Sequence, residues 1–356
     1  MPPRPASLSS LQPPQRIALL KPSALGDIIH ALPVLSALRQ LYPRSEIAWV
    51  VNRLYEPLLQ GHPDLDRTIA FDRGMAKAGW WRATTGFARF LYHLRQQRFD
   101  WVIDLQGLLR TGIMTRACGA THSIGLATAR EGARWCYRHS LPVPTLEMHA
   151  VDRYWLVLDA LGWGDLPKQF VLPRQPLAEE WAEKQLLPWP RPWVMLNLGT
   201  RWETKRWPVE HFTTLGREAQ EKFGATLILV GGPDEKPLGK QFQEVCPRNV
   251  LNLIGSSSLP QLVSLLARAD LVISNDSGPL HLADALGRPV IAPYTCTSIR
   301  RTGPYNQVQG AVATKVWCAA SYVKQCPRME CMTELTPARL LPLLHRNLAT
   351  WQLRSA

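Results

Sequence analysis

The sequence predicts an α/β protein with two doubly wound parallel-sheet domains facing a cleft, and three observations support this. Short apolar runs recur along the 356 residues, as is typical of buried parallel strands. Segments with helical spacing lie between these runs. The alternating pattern occurs twice, on either side of a proline-rich stretch around residues 165–193. In such sheets ligands bind at the carboxyl ends of the strands, so we expect the functional residues there.

The predicted strands share a run of apolar residues, and the predicted helices share a period near 3.6 residues. In chain order the strands are RIALL (16–20), EIAWVV (46–51), WVIDL (101–105), WVMLNLG (193–199), TLILVGG (226–232), VLNLIG (250–255), LVISND (271–276) and PVIAPY (289–294). The helices cover 30–42, 176–187, 209–224, 259–269, 278–287 and a C-terminal segment near 336–353.

The domain boundaries follow from this pattern and from proline content. Residues 1–15 are rich in proline and are expected to form a flexible tail. The predicted N-terminal domain covers 16–175, the linker 176–192 and the C-terminal domain 193–335. The remaining residues, 336–356, are predicted to form a C-terminal helix.

The composition is that of a folded protein, with 46% hydrophobic and 19% charged residues. A formal net charge of +13 favours anionic partners such as nucleotide phosphates, lipid headgroups or nucleic acid. The sequence shows no apolar run of membrane-spanning length and no signal-peptide pattern at its start, so we expect a cytoplasmic protein. The seven cysteines, an odd number without secretory context, are expected to be reduced.

One acid, Asp27, lies in KPSALGDIIH, where the first strand turns into a helix. A carboxylate at the carboxyl end of a strand could accept a proton from a hydroxyl group. An acid in the first turn of a helix is also favoured by the helix dipole alone. The local sequence leaves both interpretations open.

The stretch SNDSGPLHLADALG follows the strand at 271–276 and predicts an anion site. Asp276 is expected to cap the helix, while backbone N–H groups from Ser277 and Gly278 to His281 open toward an anion such as a diphosphate. An ordinary capped helix, with His281 as a polar neighbour, explains the same residues.

Two further loops follow strands of the second domain. The first carries Arg201, Lys205 and Arg206, of which Lys205 is our choice to neutralise phosphate charge, with solvated surface charge as the alternative. The second, LVGGPDEK, places Glu235 where it could accept hydrogen bonds from ribose hydroxyls, although Gly-Gly-Pro-Asp is also a common turn. Neither the dinucleotide fingerprint nor a P-loop is present, which disfavours hydride transfer and ATP hydrolysis.

Residues 73–99 contain six Lys or Arg, no acid and several aromatic residues. Such segments lie on anionic membrane surfaces or contact anionic acceptors. A helix docked on its own domain would show a similar apolar stripe. Nucleic acid is not expected as a partner, because no recognised binding module accompanies the charge.

The segment WCAASYVKQCPRMECMTEL contains Cys318, Cys326 and Cys331 without a Cys-x-x-Cys pair. No metal site is expected from this spacing. Buried thiols packing a C-terminal loop are the default interpretation.

Several stretches together resemble the ADP-heptose:lipopolysaccharide heptosyltransferases, a bacterial family of inverting glycosyltransferases with the two-domain GT-B fold. The cysteine segment with CMTELTP looks like the second heptosyltransferase subgroup. The stretches that carry the resemblance are KPSALGDIIHALPVLSAL, VIDLQGLLRTG, HAVDRY, LNLGTRWETKRWPVEHF, LVGGPDE, ISNDSGPLHLADALGRPVIAPY and RTGPY.

The resemblance implies a role for each matching residue. Asp27 would be the general base, Lys205 would contact donor phosphate, Asp276 the donor sugar, and Ser277 with Gly278 the diphosphate. The expected donor-binding residues, in full, are Thr200, Lys205, Glu235, Asp276, Ser277, Gly278 and His281, while Gln106 and Arg110 would face the acceptor.

The implied partners are a nucleotide-sugar donor, an anionic glycolipid acceptor and the inner face of the cytoplasmic membrane. No cofactor or metal is expected, because no Asp-x-Asp motif of metal-dependent glycosyltransferases is present. The GT-B fold also implies that the C-terminal helix crosses back onto the N-terminal domain.

The sequence departs from the family pattern at two places. Residues 296–299 replace most of a Gly-Pro-Thr-Asp-Pro stretch that lies near the donor sugar, and Tyr322 is among the replacements of a Cys-x-x-Cys pair. Heptose is therefore the default donor sugar. A transferase for another nucleotide sugar and acceptor stays open, as does a non-catalytic module that binds a nucleotide sugar or a lipid headgroup.

Overall fold

The computed structural model describes residues 8–72 and 80–355, and for residues 80–83 the backbone only. The chain divides into two compact units, Met1–Arg174 and Gln175–Ala356. The first seven residues of the predicted tail, the start of the basic segment (73–79) and residue 356 lie outside the described residues.

The first unit is a six-stranded parallel sheet with helices between its strands, in the order β3-β2-β1-β4-β5-β6. This is the strand order of a doubly wound fold, with the first strand in the middle of the sheet. The elements are β1 (Arg16–Leu20), α1 (Leu25–Leu41), β2 (Glu46–Asn52), β3 (Arg67–Phe71), α2 (Trp80–Gln96), β4 (Trp101–Asp104), α3 (Leu109–Cys118), β5 (His122–Leu126), β6 (His139–Leu141) and α4 (Ala150–Ala160).

The second unit repeats this topology with its own sheet, ordered β12-β11-β10-β7-β8-β9. The strands are β7 (Trp193–Asn197), β8 (Thr226–Leu229), β9 (Val250–Asn252), β10 (Leu271–Ser274), β11 (Val290–Tyr294) and β12 (Ala311–Ala313). The helices are α5 (Pro176–Leu186), α6 (Val209–Phe223), α7 (Lys236–Val245), α8 (Leu259–Leu266), α9 (Gly278–Ala285), α10 (Ile299–Thr302), α11 (Glu330–Glu334) and α12 (Leu341–Ser355).

The predicted α/β class with two doubly wound parallel sheets is confirmed. All eight predicted strands are present: β1 has the predicted bounds, β2 is one residue longer, and the other six are shorter than predicted. Four strands were not predicted: β3, β5, β6 and β12. Each of them is short or interrupted by polar residues and glycine, which weakens the apolar signal.

The predicted flexible tail is wrong for residues 8–15. Leu8 is buried, with only 4% of its surface exposed, and its N–H donates to the carbonyl of Ala160 at 2.7 Å. The carbonyl of Pro14 accepts a hydrogen bond from Ser45 Oγ at 2.5 Å. Backbone hydrogen bonds and one anchored leucine therefore order this proline-rich segment despite its composition.

The predicted linker, residues 176–192, belongs to the second unit. Most of it forms α5, whose Ala178, Ala182 and Leu186 are buried at helical spacing against α8. Its end is tied to the second sheet, because the guanidinium of Arg191 pairs with the carboxylate of Asp270.

The C-terminal helix α12 packs against α6 of the second unit. Its Leu344 and Leu348 are fully buried in the hydrophobic core that also contains Trp207 and Phe212. The prediction that this helix crosses back onto the N-terminal domain stays a prediction.

In the ranges 8–72 and 80–355, no helix combines the length and the apolar character that crossing a membrane requires.

Candidate functional site

Asp27 is the third residue of α1, at the carboxyl end of the central strand β1. Its Oδ2 accepts a hydrogen bond from Ala24 N at 3.1 Å, and its Oδ1 accepts one from Tyr154 OH at 3.1 Å. The ammonium group of Lys21 lies 3.7 Å from Oδ1. The Asp27 side chain nevertheless remains 41% exposed, so an external hydroxyl group can reach the carboxylate.

These contacts determine the protonation state of Asp27. Burial acts to raise the pKa of Asp27, but the charge of Lys21 and the hydrogen bonds from Ala24 and Tyr154 outweigh it and hold the pKa below its ordinary value. Asp27 is therefore ionised at neutral pH. It combines the helix-start position with the geometry of a proton acceptor, so the two interpretations of the sequence do not exclude each other.

The two predicted acceptor residues lie in the loop after β4 and at the start of α3. Gln106 Oε1 accepts a hydrogen bond from Ser23 N at 3.3 Å, so this side chain supports the loop that leads to Asp27. Arg110 is exposed, with its guanidinium carbon 5.7 Å from the centre of the Phe71 ring. Arg110 is free to meet an anion, whereas Gln106 already has a structural contact.

Asp276, in the loop after β10, is the centre of a second cluster in the other unit. Its Oδ2 lies 2.7 Å from Lys205 Nζ and accepts a hydrogen bond from Thr297 Oγ1 at 2.6 Å. Its Oδ1 lies 3.5 Å from His281 Nε2 and accepts a long hydrogen bond from Tyr294 OH at 3.4 Å. The structure thus brings together three of the predicted residues, Asp276, Lys205 and His281.

The start of α9 differs from the prediction in one respect. Ser277, not Asp276, occupies the N-cap position, because the Asp276 carboxylate is turned toward Lys205 and Thr297. Ser277 Oγ donates instead to Asn197 Oδ1 at 2.7 Å. In the described chain no side chain caps this helix, so its first N–H groups, from Gly278 onward, have the polarity that suits an anion.

Glu235 lies in the turn after β8, and its side chain packs against Gly231 of the glycine pair in LVGGPDEK and against Gly199. A Cβ atom on Gly231 would lie 2.0 Å from Glu235 Oε2, and one on Gly199 would lie 2.0 Å from Glu235 Cδ. Only glycine at these two positions leaves room for the carboxylate. Burial raises the pKa of Glu235, although Asn197 Nδ2 approaches Oε2 at 3.4 Å.

The three cations of the loop after β7 have separate environments. Lys205 contacts Asp276 as described, Arg206 Nη2 donates to the carbonyl of Thr200 at 2.9 Å, and Arg201 is exposed. Thr200 Oγ1 in turn donates to the backbone carbonyl of Asp276 at 3.4 Å. The role of Lys205 at the donor phosphate stays a prediction.

Sequence reasoning missed four side chains that shape these clusters: Lys21, Tyr154, Asn197 and Thr297. Lys21 and Tyr154 contact Asp27, while Asn197 and Thr297 contact Ser277 and Asp276. Tyr154 lies 127 residues from Asp27, and only the family stretch HAVDRY pointed to its neighbourhood. Asn197 is a polar residue at the end of the apolar strand β7, and this pattern could have indicated a role in the Asp276 cluster.

The cysteine-rich segment lines a cavity of about 290 Å³ within the second unit. Burial raises the pKa of Cys331 to about 11. Cys318, Cys326 and Cys331 are half-buried rather than fully buried, because they face this cavity. Among the described residues, no group of three or more His, Cys, Asp or Glu is arranged to hold a metal ion.

Apolar residues in the described part of the basic segment pack within the first unit. Phe87, Phe90 and Leu91 pack against a core that contains Phe71 and Leu94, as expected for a helix docked on its own domain. This leaves charged and polar residues of α2 on the surface, including Arg89, Tyr92 and Arg95. Any contact with an anionic surface would depend on these exposed residues.

The model of glycosyltransferase family 9 (heptosyltransferase) matches residues 87–332. This chain belongs to that family. Glycosyltransferase family 9 membership makes the chain a glycosyltransferase and agrees with the two parallel sheets described above. The matched range includes the whole cluster around Asp276 as well as Tyr154.

Curated relatives cover most of this family 9 chain. Lipopolysaccharide heptosyltransferase 1 of Pseudomonas aeruginosa (strain PAO1) is 30% identical over 94% of this chain and 98% of its own. Lipopolysaccharide heptosyltransferase 2 of Escherichia coli (strain K12) is 27% identical over 82% of this chain and 86% of its own. These identities do not favour the second subgroup over the first.

Solved structures of Escherichia coli heptosyltransferase WaaC share the fold of this family 9 member. The structure with ADP has a TM-score of 0.74 at 26% sequence identity and covers 93% of this chain and 99% of its own. The structure with ADP-2-deoxy-2-fluoro heptose has a TM-score of 0.71 with the same identity and coverage. The two-domain GT-B architecture is thereby confirmed for this chain.

Proposed function

We propose that this glycosyltransferase moves a sugar, heptose by default, from an ADP-sugar to a lipopolysaccharide-core or other cell-surface glycan acceptor. The names of the relatives support the sugar and the acceptor, and the WaaC structures support ADP as the nucleotide. The observation that carries the proposal is the ionised, partly exposed Asp27 carboxylate at the carboxyl end of β1.

The proposed reaction is a single displacement that inverts the anomeric carbon. The acceptor oxygen forms a bond to this carbon while the bond to the donor phosphate breaks, and the acceptor proton moves to the Asp27 carboxylate. The electron pair of the broken bond leaves with the nucleoside diphosphate. A positioned general base contributes about 10² to 10⁴-fold to such a step.

The leaving diphosphate gains negative charge, which Lys205 and the start of α9 are placed to meet. Lys205 pairs with Asp276, so donor phosphate would share or replace this partner. Glu235 would accept hydrogen bonds from the ribose. Because Lys205 and the start of α9 supply positive charge to the diphosphate, we expect turnover to persist in a metal chelator. A loss of turnover that Mg²⁺ restores would contradict this part of the proposal.

The acceptor is proposed to be an anionic glycolipid at the inner face of the cytoplasmic membrane. The net charge of +13, the exposed Arg110, and the exposed Arg89 and Arg95 of α2 support an anionic partner. Vesicle co-sedimentation with and without anionic lipid, repeated at high salt, measures whether this contact is electrostatic.

The second candidate function is a transferase that uses a different nucleotide sugar. The position of residues 296–299, which depart from the family pattern, supports this candidate. Thr297 contacts the Asp276 carboxylate directly, and Ser298 N donates to Tyr322 OH at 3.3 Å. The segment that departs from the family pattern is thus part of the Asp276 cluster, where the donor sugar is expected.

A panel of ADP-, UDP- and GDP-sugars tests the proposal, with protection from thermal unfolding measured first and nucleotide release with a glycolipid acceptor second. The proposal predicts that ADP-heptose gives the largest protection and supports transfer. Preference for another nucleotide would select the second candidate. Binding without turnover on any acceptor would indicate a non-catalytic binding module.

A further inference from the structure

Lys21 is an unusual residue for the interior of the first unit. Lysine is rarely fully buried, and removing an ammonium group from water costs several kcal/mol unless it is well paired. Only 2% of Lys21 is exposed. Its Nζ donates to the carbonyl of Leu105 at 3.1 Å, lies 3.7 Å from Asp27 Oδ1, and stands 4.7 Å from the centre of the Tyr154 ring.

Tyr154 approaches the same oxygen from α4. It is 3% exposed, and its OH donates to Asp27 Oδ1 at 3.1 Å. Two buried groups from different elements therefore converge on Oδ1, whereas Oδ2 accepts one hydrogen bond, from Ala24 N. Oδ2 keeps a lone pair that can take a proton.

Several charged and titratable groups influence this pair. Asp27 is faced by Lys21, Tyr154 and Arg153, the last acting through its charge. Lys21 is also influenced by the buried carboxyl of Asp104. Burial acts to lower the pKa of Lys21, but Asp27 and Tyr154 outweigh it and raise this pKa, so Lys21 stays charged. Lys21 therefore holds a fixed positive charge 3.7 Å from Asp27 Oδ1.

We propose that Lys21 and Tyr154 are positioning residues that keep Asp27 ionised and fix its orientation, with Oδ1 held by the protein and Oδ2 left to take the acceptor proton. This inference rests on the proposed role of Asp27 as general base. A purely structural role would require burial and packing but would not require both groups to contact the same carboxylate oxygen.

The test uses Tyr154→Phe, which removes only the hydroxyl group, and Lys21→Met, which removes the charge together with the hydrogen bond to the Leu105 carbonyl. Tyr137→Phe is the matched control, because Tyr137 OH donates to another buried carboxylate, Asp104 Oδ2, at 2.7 Å. The full-length protein is labelled with ¹³C at aspartate carboxyls, and the Asp27 signal is assigned by its absence in Asp27→Asn. Carboxyl titration and the pH profile of kcat/KM are then measured for each variant.

We expect the Asp27 pKa to rise in Tyr154→Phe and Lys21→Met, and to stay unchanged in Tyr137→Phe. The acid limb of kcat/KM should move to higher pH by the same amount, because it reports the pKa of the free enzyme's base. At neutral pH we expect kcat to fall about tenfold in Tyr154→Phe, while KM for the donor stays within about twofold.

An Asp27 pKa in Tyr154→Phe equal to that of the parent, with kcat unchanged, would overturn the inference. The carboxyl titration needs no turnover, so it decides the matter even if Lys21→Met fails to fold. Failure of the proposed function looks different: the parent would transfer no sugar, or Asp27→Asn would retain full activity, whatever the titration shows.

Discussion

Lys205 Nζ lies 2.7 Å from Asp276 Oδ2, and both side chains are largely removed from solvent. Burial acts to raise the pKa of Asp276, but the hydrogen bond from His281 and the charge of Lys205 hold this pKa far below its usual range. Asp276 therefore stays ionised at neutral pH. A cation held by a carboxylate partner has little conformational freedom to lose on binding phosphate, which lowers the cost of organising the site.

Lys205→Met should weaken ADP binding roughly 10- to 100-fold, because one charge-assisted contact to phosphate contributes about 1.5–3 kcal/mol. Methionine keeps an unbranched apolar side chain and removes the ammonium group, which lies 4.7 Å from the centre of the Trp202 ring. Titration calorimetry with ADP measures the effect.

Arg201→Ala is the control for Lys205, since it removes an exposed cation from the same loop. Its affinity for ADP should match that of the parent. Equal affinities of Lys205→Met and Arg201→Ala would remove Lys205 from the phosphate site.

Gly231→Ala should weaken binding of ADP and of adenosine about tenfold. The added Cβ would lie 2.0 Å from Glu235 Oε2, so the carboxylate must move away from the position where it could meet a ribose. Affinity for inorganic diphosphate should change little, because Glu235 is assigned to the ribose.

Gly232→Ala is the matched control one residue further along. A Cβ on Gly232 meets nothing within 4 Å, and its φ of −76° is accessible to alanine. If both variants bind adenosine as the parent does, Glu235 has no part in nucleoside recognition.

The depressed pKa of Asp276 predicts a pH dependence of stability. A carboxyl group whose pKa is lowered by folding contributes stability above its unfolded pKa of about 3.9, and loses it progressively as pH falls below that value. The difference in unfolding free energy between the parent and Asp276→Asn should therefore narrow in this acid range. Urea unfolding at several pH values measures it, and a constant difference would argue against the ion pair.

The fold could be predicted largely from the sequence because buried parallel strands are nearly continuous apolar runs. Strand β5 was missed because Gly125 interrupts its apolar run. Glycine is needed there, since a Cβ atom would lie 2.3 Å from the Tyr137 ring. The ordered segment around Leu8 was also missed. Its order depends on a hydrogen bond to the distant carbonyl of Ala160, which the proline content of the segment does not predict.

The candidate site was less accessible to sequence reasoning. Residues close in the chain, such as Ser277 and Gly278, share a local pattern that indicates an anion site. The environment of Asp27 depends instead on Tyr154, which is far away in the sequence, and on the burial of Lys21. Neither property follows from local periodicity, so the family resemblance, not the spacing, distinguished a base from a helix-start acid.

Asp27→Asn tests whether the Asp27 carboxylate takes the proton of the acceptor hydroxyl group. Single-turnover transfer is measured beside ADP binding and circular dichroism of the same preparation. We expect a loss of about 10² to 10⁴-fold in the transfer rate, with ADP affinity and secondary structure equal to those of the parent. Transfer at the parental rate by correctly folded Asp27→Asn would contradict it.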